Sequence, residues 1–197
     1  NGKIIRNFFF VDKEVFSISL PDETERLVMF NFFSQEYTPF FLFSRNKDHG
    51  IIGFTDKYEI LLINLDGNTI GKFSRDIKPG IISPGETEYF KKQINDTHRF
   101  PDPVKKRFIR KIPRYKNYFS QILISGSYAW IFRIKENVLE ENSPIKVDLF
   151  KIDGTFKGTL EVKALPFFIS DRYVYFEETN IQEDLILVKY KYDVKGK

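Results

Sequence analysis

One segment of this chain is written twice. Residues 58–73 and 145–160 lie 87 positions apart and share a single pattern. The first copy runs Tyr58-Glu-Ile-Leu-Leu-Ile-Asn-Leu-Asp66-Gly67-Asn-Thr-Ile-Gly71-Lys-Phe73. The second runs Ile145-Lys-Val-Asp-Leu-Phe-Lys-Ile-Asp153-Gly154-Thr-Phe-Lys-Gly158-Thr-Leu160. In each, an apolar strand enters Asp-Gly and leaves as a second strand with a glycine four residues on. Asp-Gly between apolar runs predicts a two-residue type I′ hairpin, because that turn needs positive φ. A hairpin cannot bury its own apolar face, so a recurring one predicts a stack of sheets.

The surrounding sequence extends each copy into a larger unit. Phe119–Ser125 and Tyr128–Lys135 are short strands separated by Gly126-Ser127, and the polar loop 136–143 leads into the second copy. Phe40–Ser44 and Gly50–Thr55 stand in the same relation to the first copy. After Val162, strands over Pro166–Ser170, Tyr173–Glu177 and Asp184–Tyr192 begin a further unit. Less regular strands are expected over Glu14–Leu20 and Arg26–Phe33. The opening Asn1–Phe8 reads as the outer strand of a sheet, as in a ring that closes by pairing its ends or in a cut through a longer array. The chain starts on Asn1 rather than Met, which points to processing or truncation upstream. Four antiparallel strands in about 45 residues is the size of a β-propeller blade. The predicted fold is therefore all-β, a β-propeller domain or part of one over residues 1–197, with about four blades' worth of sheet. Its 22 Phe and 10 Tyr suit half-buried pleated surfaces.

Residues 76–116 interrupt the pattern. Ser83-Pro-Gly-Glu86 has capping-box spacing with proline at the first helical position, predicting a helix over Glu86–Ile94. Asp102-Pro103 repeats the start signal before Val104–Ile112, and Pro113 ends that second helix. Removing this insertion of about 41 residues from the 87-position offset leaves roughly one blade length.

With these elements in place, the string Thr55–Gly67, the helical insertion, Ile112–Phe119 and the strands at Tyr128-Ala-Trp130 and Tyr173-Val-Tyr175 resemble bacterial six-bladed β-propeller proteins of the NHL-like kind. The resemblance covers about residues 40–192. It implies a propeller fold, export to the periplasm or cell surface, and no particular activity. Six blades need roughly 250 residues or more, so this chain matches a partial ring or a smaller one.

Composition excludes several chemistries. There is no cysteine, hence no disulfide, thiolate metal site or cysteine nucleophile. The two histidines, His49 and His98, fall in expected loops without metal-ligand spacing, and no P-loop or Gly-x-Ser-x-Gly elbow occurs. No metal or cofactor is expected. No run approaches the 18 apolar residues of a membrane span. Asp66 and Asp153 are explained by the turns they occupy, and Trp130 by packing in the core between successive sheets. Asp171, Glu177, Glu178, Glu183 and Asp184 cluster near the last unit, where paired carboxylates could serve a hydrolase or lyase. Clusters flanking a loop are usually a solvated rim, and that is the favoured reading of them.

The one marked charge anomaly is in the insertion. Lys105, Lys106, Arg107, Arg110, Lys111, Arg114 and Lys116 give seven positive charges in 12 residues with no acid among them. Helical spacing puts Lys106, Arg107 and Arg110 on one side and Val104, Phe108 and Ile112 on another. Lys106, Arg107, Arg110, Lys111 and Arg114 are the candidate binding residues, for an anionic partner. The favoured alternative is an amphipathic helix pinned by Val104, Phe108 and Ile112 whose basic side is simply solvated. Only Tyr115 and Tyr118 lie nearby to stack bases, so nucleic acid is not the favoured class. The leading expectation for function is a non-enzymatic binding or scaffold module that presents loops to a protein or carbohydrate. A carboxylate-bearing enzyme is the alternative.

Overall fold

The computed structural model describes Tyr37, residues 39–98, 100–140, 143–170, 172–179 and 185–192. The strands expected before residue 37 lie outside the described residues, as do Asp171, Glu183 and Asp184. What is described is mostly β, arranged in three antiparallel sheets. Sheet I holds β1 (Phe41–Arg45), β2 (His49–Phe54), β3 (Glu59–Asn64) and β4 (Thr69–Ser74) in sequence order. Sheet II holds β5 (Phe119–Ser125), β6 (Tyr128–Arg133), β7 (Ile145–Lys151) and β8 (Phe156–Val162), again in order. Sheet III holds β9 (Phe168–Ile169), β10 (Tyr173–Thr179) and β11 (Leu185–Lys191). Helices α1 (Pro84–Asp96) and α2 (Asp102–Arg110) lie between sheets I and II in the chain.

The duplicated segment is structurally duplicated. Leu62 faces Gly71 and Leu149 faces Gly158, and the register slips immediately afterwards in both sheets, before Ile63 and before Phe150. The turns are three-residue loops, not the two-residue hairpins expected from Asp-Gly. In the first, the Gly67 amide donates to the Asn64 carbonyl at 3.0 Å, and the Asn64 amide closes the loop on the Asn68 carbonyl. Lys151, Gly154 and Thr155 repeat that arrangement. Glycine ends each loop because φ there is 79° at Gly67 and 89° at Gly154, a region costly for a residue with a Cβ.

Sheet II is the middle layer, which explains why β6 has no polar alternation. One face sets Ile122, Ala129, Ile131 and Phe150 against Ile51, Ile60, Leu62 and Phe73 of sheet I. The other sets Trp130, Phe132, Val147 and Leu149 against Ile169, Val174 and Phe176 of sheet III. Trp130 meets Tyr192 edge-on at 4.9 Å. The first strands of the sheets are neighbours: β1 lies against β5, and β5 against β9. The Ile124 amide donates to Ser44 Oγ across the first of these junctions. Sheet I turns its other face outward, with Phe43 51% and Leu65 71% exposed beside a hollow of about 300 Å³ lined by Phe41, Ile52 and Ile63. By the repeat, Ile63 matches Phe150 and Leu65 matches Ile152, residues that sheet II packs against sheet I.

The insertion has a core of its own, made by Tyr37, Ile82, Phe90, Ile94 and Phe108. Ser83 caps α1 as expected: its Oγ accepts from the Glu86 amide, and the Glu86 carboxylate accepts from the Ser83 amide. Asp102 does not cap α2. Pro101 takes that position and offers no side chain to the amides, while Asp102 sits in the first turn, where its charge suits the helix dipole.

Candidate functional site

A polar concavity forms where the first reversals of all three sheets meet. Asn46, Lys47 and Asp48 join β1 to β2, Gly126 and Ser127 join β5 to β6, and Ser170 follows β9. Together with Arg45, His49, Ile152 and Phe168 they line a cavity of about 720 Å³. Asn46 organises it. Its Oδ1 accepts from the Asp48 amide at 2.9 Å and the His49 amide at 2.8 Å, folding the loop back on itself. Its Nδ2 donates to the Gly126 carbonyl at 3.1 Å, tying the sheet I loop to the sheet II loop. Gly126 takes φ 54° so that the β5–β6 reversal can be tight. The result is a polar floor with exposed Arg45, Lys47, Asp48 and Ser127 at the rim and Phe168, 54% exposed, at one side. His49, expected in a loop, is the first residue of β2 and half-buried in this wall, whereas His98 is exposed.

A second hollow, of about 510 Å³, lies between the ends of sheets II and III and is lined by Val162, Lys163, Phe176, Glu177, Glu178 and Tyr190. It collects the two described members of the expected carboxylate cluster. The Tyr190 hydroxyl donates to Glu178 at 2.9 Å, and that carboxylate raises the pKa of the phenol. Among the described residues, no three His, Asp or Glu side chains gather where they could hold a metal ion.

Two buried charge networks were not anticipated. Asp148, fully buried in β7, accepts from the Arg75 guanidinium and the Tyr58 hydroxyl, both at 2.6 Å, and from Thr159 Oγ1 at 2.5 Å. Burial first, and then the hydrogen bond to Asp148, push the Tyr58 phenol far above its ordinary range. Tyr58 and Arg75 belong to the sheet I side and Asp148 to sheet II, so the cluster fastens one sheet to the next. The second network anchors the insertion. Lys116 Nζ, 1% exposed, lies 2.7 Å from the fully buried Glu86 carboxylate and donates to the Glu136 carbonyl at 2.6 Å. The Tyr37 hydroxyl and the Val138 amide also donate to Glu86. Burial alone would raise the Glu86 pKa, but Lys116 and the Ser83 and Val138 amides outweigh it and hold the group at about 2. A capping glutamate was legible in the sequence; its partnership with Lys116 was not.

The basic stretch is accordingly split. Lys116 is interior, and Lys105 donates to the Asn95 carbonyl at 2.6 Å. Lys106, Arg107, Arg110 and Arg114 are exposed, and Lys111 is half-buried. Phe108 is 1% exposed, with Val104, Ile109 and Ile112 packed beside it, so the apolar side of α2 faces the insertion core. No helix among the described residues is long and apolar enough to cross a membrane. In comparisons with known proteins, no family model, curated protein or solved structure matches the chain.

Proposed function

We propose that the three sheets are consecutive blades of a β-propeller-like array, similar to the bacterial six-bladed NHL-like kind, and that the chain is a non-enzymatic binding module. The adjacency of β1, β5 and β9 supports the radial reading, as does the repeated use of the same sheet faces. So does the outward face of sheet I, whose repeat mate is buried in sheet II.

The observation that carries the function is the convergence of three sheets' loops on one cavity of about 720 Å³. That volume suits a small ligand or a peptide segment, and loops held by rigid sheets are where binding residues concentrate. Asn46, Asp48, Ser127 and Ser170 supply donors and acceptors for hydroxyls or amides, Arg45 and Lys47 supply positive charge, and Phe168 supplies an exposed ring. This set fits a carbohydrate or an extended protein segment. Screening glycan and peptide arrays, followed by calorimetry, tests it. The expected result is saturable binding without turnover, weakened at least about tenfold when Ser127→Trp fills the cavity. Binding unchanged by Ser127→Trp would reject the site. Turnover of a sugar or ester that disappears in Glu178→Gln would instead favour a hydrolase or lyase acting at the second hollow.

A further inference from the structure

The helical insertion keeps its apolar side for its own core and presents its charge to solvent. Lys106 and Arg110 on α2, and Arg114 just after it, are exposed and pair with no acid among the described residues. No acidic residue occurs between 103 and 118. Glu88 of α1 is engaged by Lys91, leaving Asp102 in the first turn of α2 as the acid closest in sequence to the cationic side. Next to Arg114 is an exposed apolar pair. Ile81 and Tyr115 are joined by an antiparallel bridge and are 65% and 46% exposed, and the Arg114 guanidinium lies 5.4 Å from the centre of the Tyr115 ring.

We propose that this face docks on an anionic lipid bilayer, with Lys106, Arg110 and Arg114 among the headgroups and Tyr115 and Ile81 at the interface. Clustered basic residues attract an anionic leaflet, and a tyrosine with an adjacent aliphatic side chain prefers the headgroup level. The helix does not insert, because Phe108, Val104, Ile109 and Ile112 are already committed to the interior. Buried Glu86 and Lys116 tie the insertion to the loop after β6, where the Val138 amide donates to Glu86 and Lys116 donates to the Glu136 carbonyl. Nucleic acid fits less well, since the one exposed ring among the cations already carries the Arg114 guanidinium.

Vesicle co-sedimentation of the whole chain tests this. Vesicles of phosphatidylcholine with about one-third phosphatidylserine are compared with phosphatidylcholine alone, at low and high salt. The chain is expected to partition onto the anionic vesicles only and to be released by salt. Each of Lys106→Ala, Arg110→Ala and Arg114→Ala should weaken association about fivefold, and the triple variant about a hundredfold. The Tyr115→Ala/Ile81→Ala variant, with charge unchanged, should lose affinity as well. All five positions are exposed, and circular dichroism confirms that each variant remains folded. Equal partitioning on neutral vesicles, no partitioning on either, or an unchanged triple variant would each overturn the proposal. So would binding of duplex or single-stranded RNA in preference to vesicles, with no effect of Tyr115→Ala/Ile81→Ala.

Discussion

Separating Glu86 from Lys116 should unfasten the insertion at a cost that its geometry sets. Both groups are shut away from water, so Glu86→Gln leaves an ammonium facing carbonyl oxygens and Lys116→Met leaves a carboxylate held only by amides and the Tyr37 hydroxyl. Breaking a buried pair from one side costs about 3–5 kcal/mol. The fall of the Glu86 carboxyl from 4.5 to about 2 gives a matching scale of about 3 kcal/mol in favour of its charged form. Replacing both residues removes the two stranded charges together, so Glu86→Gln/Lys116→Met should cost about 2–3 kcal/mol less than the two single variants added. Because the folded pKa is depressed, this stabilisation is complete above the unfolded value of 4.5 and is lost as pH falls from there towards 2. Urea unfolding followed by circular dichroism and by the fluorescence of Trp130, the single tryptophan, measures the cycle at pH 7 and again near pH 3. Single-variant costs below about 1 kcal/mol, strict additivity, or a gap between wild type and Glu86→Gln that is the same at both pH values would refute the reasoning.

Two other substitutions probe the sheets. Tyr58→Phe removes one of three donors to a fully buried Asp148 and should cost about 1–2 kcal/mol in urea unfolding, with no change in secondary structure. Gly154→Ala should cost about 1 kcal/mol or more, since φ is 89° and the new Cβ would sit 3.4 Å from the Lys72 carbonyl. Gly85→Ala, in the first turn of α1, where a new Cβ would meet only Ser83 Oγ at 3.9 Å, should be neutral or slightly stabilising in the same assay.

Most strand positions were readable because each apolar run is short and bounded by turn residues. The repeated hairpin and the Ser83–Glu86 capping box carry their own local signatures. The loop size was misread because Asp-Gly marks where positive φ occurs but not which residues close the ladder. Here Asn64 and Lys151 do so, one position earlier than a two-residue turn would need. The Lys116 side chain looked like one more charge in a basic run because its partner lies 30 residues upstream on a different element. Asp148 carried a signal: a carboxylate between Val147 and Leu149 in an otherwise apolar strand demands compensation. Nothing local says that Arg75 and Tyr58 provide it. The cavity was invisible for the same reason, since Asn46, Ser127 and Ser170 come together only when successive sheets stack with their first strands adjacent.

That stacking is tested most directly by linking two of the converging loops. The chain has no cysteine, so Lys47→Cys/Ser127→Cys carries the only two thiols. These positions flank the residues of the 3.1 Å Asn46–Gly126 hydrogen bond. A short bis-maleimide applied to the folded protein should join them nearly completely within one chain, leave the circular dichroism unchanged, and react far less in urea. Failure to link in the folded state, or linking that improves on unfolding, would contradict the shared placement of these loops.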